Sequence, residues 1–133
     1  MREDLTDNVE VLFRQVHPSF IEQNGEPSSA PFRPSDKDDN ELSVDRSSLT
    51  TPSASFALYK SNGFASDAVY GLSVEEFQAV QIPCKSDPIA QSSTQSANPA
   101  HAIADFSAHG TNKQKTIAKR LKIAAINRGK LHP

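Results

Sequence analysis

The stretch VLFRQVHPSF, Val11 to Phe20, is the one from which the fold is read. With Val9 and Glu10 before it, apolar residues alternate. Val9, Val11, Phe13 and Gln15 share one side, and Leu12, Arg14 and Val16 share the other. A period of two predicts a strand. Pro18 has no N–H to give to a ladder, so pairing is expected to end near His17. Arg14 and His17 are an odd number of residues apart. A regular strand sends them to opposite faces, and they converge only if the chain twists or bulges near Gln15–Val16.

Working outward, residues 1–8 are expected to fray. Residues 22–41 form a long polar connection whose only bulky apolar residue, Phe32, is its expected anchor. Leu42 to Val44 reads as a short strand. Thr51 can cap a helix with Pro52 in its first position and Gly63 just past its end, with Ala54, Leu58 and Phe56 toward the core. DAVYGL is a third strand. Ser73 and Glu76 form a capping box for a short helix over VEEFQAV. Residues 82–99 make a second long loop with a Gln/Ser-rich centre, and AHAIADF alternates as a strand. Thr111 or Asn112 can cap a last helix, 112–128, whose apolar stripe is Ile117, Leu121, Ala124 and Ala125 and which Gly129 ends. The order predicts an α+β domain over residues 9–129, with a small mixed or antiparallel sheet, one central helix, long polar loops and a basic amphipathic C-terminal helix. Residues 130–133 are left as a tail.

The 133-residue length suits one modest core. A single cysteine, Cys84, excludes an internal disulfide and fits a reducing compartment. The acidic start MREDLTDNVE has no apolar core of a secretory signal, and no run is long enough to span a membrane. A cytoplasmic location is expected. The net charge of −2 hides segregation: residues 1–110 carry 7 Lys+Arg against 16 Asp+Glu, and residues 111–133 carry 7 Lys+Arg and no acid. Such a basic end either docks on the acidic body or meets an acidic partner.

Four histidines, His17, His101, His109 and His132, show no i, i+4 pairing, and no CxxC is present, so no metal site is expected. Neither glycine-rich nucleotide fingerprint occurs, nor a G-x-S-x-G elbow. Cys84 beside Lys85 is weighed as a nucleophile, since a nearby cation lowers a thiol pKa. Glu75 and Glu76 could be a carboxylate pair, although helix capping accounts for both. The catalytic candidates are Arg14, His17, Ser43 and Arg46. Arginine on a strand can hold a phosphate or carboxylate in two-pronged fashion. Histidine at a strand's end can orient a hydroxyl or move a proton. The structural alternative pairs Arg14 with an acid such as Asp45 and gives His17 to the turn at Pro18–Ser19. Lys115, Lys119, Arg120, Lys122 and Arg128 are the candidates for binding nucleic acid or a partner.

The phrases RQVHPSF, SSAPFRPSDKDDNELSVDR and NPAHAIADFS, with the closing basic helix, resemble a family of small bacterial proteins to which no activity is attached. A strand bearing LFR, followed by LSVDRSSLTTPSASFALYKSNGFASDAVYGL, is similar in layout to the compact ADP-ribosyltransferase-like fold, as in the RNA 2′-phosphotransferases and rifampin-modifying transferases. That likeness implies Arg14 on a first strand, Ser43 on a second, and NAD or an RNA phosphate as ligand. The H-G-T and E-x-E motifs of those enzymes are absent. The leading expectation is a binding protein with a protein partner and no cofactor, of a size fitting toxin–antitoxin or defence modules. The alternatives are a transferase using NAD and a nucleic-acid binder acting through its last helix.

Overall fold

The computed structural model describes residues 2–133. Its α+β fold is built on one five-stranded sheet, with β1 Val11–Val16, β2 Glu41–Arg46, β3 Ala68–Ser73, β4 Cys84–Ser86 and β5 His101–Asp105. The order is β3-β1-β2-β5-β4, and every pairing is antiparallel. Three helices accompany it: α1 Pro52–Ser61, α2 Val74–Gln78 and α3 Thr111–Arg128.

Strand alternation divides the sheet into two unlike faces. Leu12, Val16, Leu42, Val44, Tyr70, Leu72, Ala102 and Ala104 join Ile117, Ala118, Leu121 and Ala125 of α3 in the main core. Phe32 is fully buried in it, so the first long loop is anchored as expected. The opposite face carries Phe13, Gln15, Ser43, Asp45, His101 and Ile103. Helix α1 covers part of that face, and its one fully buried residue is a serine, Ser55. This face is therefore partly polar, and it holds the cleft described below.

Thr51 caps α1, accepting the Ala54 N–H at 3.2 Å, and Gly63 follows with φ +90°. Ala54, however, is exposed; the inward side is Ser55, Leu58 and Tyr59, one residue round the helix. The Ser73/Glu76 capping box of α2 is complete. Helix α3 begins one residue early and its N-cap is Gly110, without a side-chain cap. Its opening is held instead by Gln114, whose amide donates to the carbonyls of Phe106 and His109.

Strand β4 interrupts what reads as loop 82–99. The strand is only three residues long, too few to show a period. The start expected to fray is tied down at residues 3–5, with Met1 outside the described residues: Leu5 is buried, its N–H donates to the Cys84 carbonyl at 2.9 Å, and Ser86 donates to Glu3 at 2.8 Å. Burial of Leu5 supplies the reason. The expected tail is also paired. Leu131 donates to Val69 at 2.8 Å, and Val69 donates to His132 at 2.6 Å. Residues 3–5 thus lie along the β4 edge and residues 131–132 along the β3 edge.

Candidate functional site: a cleft floored by Arg14, Ser43 and His101

Strand β1 pairs with β3 over six consecutive residues, Val11↔Ser73 to Val16↔Ala68. It pairs with β2 only at Leu12↔Arg46 and Phe13↔Asp45. There is no interruption of the β3 ladder before His17; β1 simply parts from β2 after Phe13. Arg14 occupies the gap. Its Nε donates to the Pro31 carbonyl at 2.6 Å and an Nη to the Ser43 carbonyl at 3.2 Å. Burial dominates its electrostatics and pulls the guanidinium below its ordinary pKa, while Tyr59 and Asp38 push it back. Guanidinium stays charged in proteins. Arg14 is thus a confined cation that forms no ion pair among the described residues.

Beside it opens a cleft of about 360 Å³. Arg14, Ser43, Asp45 and His101 line its base, Tyr59 and Phe64 one wall, and Ile89 and Asn98 the other. The Tyr59 and Phe64 rings stack 5.0 Å apart. Asn62, at the end of α1, accepts the Ser96 N–H at 3.1 Å and ties the second long loop to the helix.

Two polar chains hold the base. In the first, Asp45 accepts from Ser55 at 2.6 Å and from Asn98 at 2.9 Å. Gln15 extends it, donating to Ser55 at 2.9 Å and accepting from Ser66 at 2.7 Å. In the second, His101 Nδ1 lies 2.8 Å from the Asp87 carbonyl and 3.3 Å from its carboxylate. Its Nε2 lies 3.1 Å from Ser43 Oγ. A carbonyl oxygen can only accept, so Nδ1 carries the proton in neutral His101, and Nε2 accepts from the serine.

Of the four catalytic candidates, Arg14 and Ser43 line this cleft and His17 and Arg46 do not. His17 is exposed and caps the short 3₁₀ turn Pro18–Phe20, accepting the Ser19 N–H at 3.0 Å. Nor does Arg14 pair with Asp45, whose oxygens face Ser55 and Asn98. Arg46 instead clasps Glu10 at 3.1 Å, and Ser48 donates to the same carboxylate through N–H and O–H. Burial alone would raise the Glu10 pKa, but these donors outweigh it and hold it below 4.5. A depressed carboxylate stabilises the fold above its unfolded pKa, and that stability disappears as pH falls through the folded value. Acid titration of stability should therefore show a loss beginning below about pH 4.5 that is smaller in Glu10→Gln; equal acid sensitivity in both proteins would contradict the clasp.

Cys84 is buried, and burial pushes its thiol up to about 12, so it is protonated at neutral pH and unsuited to nucleophilic attack. Glu76 accepts the Ser73 N–H at 2.8 Å and pairs with Arg128, so it is committed to capping α2 and docking α3. Lys122 reaches Glu22 at 3.7 Å. Lys115, Lys119 and Arg120 are exposed and form no ion pair among the described residues. No helix is long and apolar enough to cross a membrane.

His101, Asp87, Asn98 and Tyr59 were not singled out by pattern. The available signal was the alternation of HAIAD, which puts His101 on the side away from Ala102 and Ala104. Only the β2–β5 pairing brings it to Ser43. No family model, no curated protein and no solved structure matches this chain.

Proposed function

We propose that the protein binds a small ligand of nucleoside-monophosphate type in the cleft between β2, α1 and the loop 87–99. The observation that carries this reading is Arg14, a confined cation with two N–H donors spent on carbonyls and no carboxylate partner among the described residues. A charge so placed costs stability unless an anion completes it. The remaining walls narrow the choice. Tyr59 and Phe64 offer a flat aromatic surface for a base. Asp38 and Asp45 also line the space, and carboxylates accept from sugar hydroxyls. Two acids beside one arginine disfavour a highly charged ligand, so one phosphate suits the cleft better than a pyrophosphate.

The test is calorimetric titration with AMP, ATP and NAD. AMP is expected to bind most tightly. Arg14→Met should weaken it about ten- to a hundredfold, the range of a charge-assisted two-pronged contact. Absence of AMP binding at millimolar concentration, or equal affinity in Arg14→Met, would overturn the reading.

A further inference from the structure

We propose that Ser43 is the nucleophile of an acyl-transfer site, with His101 as its general base and Asp87 holding the imidazole. Three features support this. Ser43 is exposed at the base of the cleft, and the one hydrogen bond of its hydroxyl is to a ring nitrogen that must accept. His101 is fixed at both nitrogens, with its side chain 12% exposed, so its orientation is set before any ligand arrives. Arg14 lines the same cleft and donates to the backbone carbonyl of Ser43, so a cation stands near the nucleophile. A serine, a base in the correct tautomer and a third group orienting the base are parts that such chemistry needs, and Arg14 adds a cation for the charge that would form on the substrate. Together they come from β2, β5, the residue just after β4, and β1. No local motif marks them.

The step balances without a cofactor. Ser43 Oγ attacks the carbonyl carbon of a carboxylic ester, and its proton passes to His101 Nε2. The C–O bond to the alcohol breaks, and Nε2 returns that proton to the leaving oxygen. Water then attacks the acyl-serine, again giving a proton to Nε2; the acid leaves and Ser43 recovers its hydrogen. Nothing is oxidised or reduced. The substrate class is an ester of a small, hydroxylated alcohol that carries one phosphate. That part rests on the ligand reading above; the nucleophile does not.

The experiment uses a fluorophosphonate probe, which reports serine nucleophilicity directly, with intact-mass and peptide mapping as readout. One adduct at Ser43 is expected in the full chain, with none in Ser43→Ala. His101→Ala should label about a hundredfold more slowly, the scale of lost general-base assistance. Asp87 acts through His101, and its carboxylate also pairs with Arg2 at 3.1 Å; Asp87→Asn should therefore slow labelling more than Arg2→Gln does, and Asp87→Glu should restore most of it. Ser43 is exposed, so Ser43→Ala is expected to stay folded, and circular dichroism checks this. No adduct at Ser43, or equal rates in His101→Ala, would overturn the proposal. AMP included as competitor separates the two readings. Labelling that AMP does not slow keeps the nucleophile and removes the nucleotide. AMP binding without any labelling does the reverse.

Discussion

Replacing Leu121 with alanine is expected to lower the unfolding free energy by about 2–5 kcal/mol. Leu121 is 1% exposed and stands in the middle of the stripe that α3 lays on the sheet. The neighbours Ile117, Ala118 and Ala125 are buried with it, so there is little slack to refill the void. Urea denaturation at constant slope measures the loss. A change below about 1 kcal/mol would mean that the site collapses freely and that α3 contributes less to the core than its burial suggests. The contrast lies on the far side of the same helix. Lys115, Lys119 and Arg120 changed together to glutamine should leave stability within about 0.5 kcal/mol, because they are exposed and form no ion pair among the described residues. Removing residues 111–133 takes Ile117, Ala118, Leu121 and Ala125 out of the core and is expected to unfold the body, so it is a poor test of nucleic-acid binding. The triple variant is a better one: if the helix carries such a function, affinity for an oligonucleotide falls with these charges and with added salt.

Asp45→Ala is expected to cost about 2–4 kcal/mol, since it removes an ionised acceptor from two side-chain donors. Ser55 and Asn98 would lose their partner. Ser55 belongs to α1 and Asn98 to the second long loop, so the expected damage reaches both walls of the cleft. Asp45→Asn keeps the volume and one acceptor and should cost less. Hydrogen exchange can localise the effect: faster exchange in α1 and residues 87–99, with α3 little changed, is the expected pattern. Uniform acceleration across the chain would instead mean that Asp45 supports global stability alone.

How much of this was legible depends on the range over which each feature is encoded. VLFRQV reads as a strand because its alternation is complete within six residues. Thr51, Pro52, Ser73 and Glu76 announce helix starts because capping is local chemistry. Strand β4 was hidden by its brevity between two prolines. Residues 3–5 and 131–132 were hidden because they pair with partners far along the chain. The cleft divides in the same way. Arg14 and Ser43 could be suspected from an arginine in a strand and a polar position beside LSV. Their joining required the parting of β1 from β2, which no residue pattern states. His101 looked like one of four unrelated histidines until strand order set it beside Ser43. His17 looked like part of a site because it closes the same strand, but it lies just past the end of β1, where its ring is spent on capping the turn Pro18–Phe20.

The pairing of residues 3–5 with β4 and of 131–132 with β3 has a consequence for solution behaviour. Each segment occupies hydrogen-bonding positions along an outer strand that would otherwise present unpaired N–H and C=O groups to other molecules. Trimming either one should leave the cleft standing while making the protein prone to strand-by-strand aggregation, visible as concentration-dependent light scattering. Resistance of this sheet to edge pairing is thus expected to rest on a handful of residues at its two margins, one of them just past the end of its long basic helix.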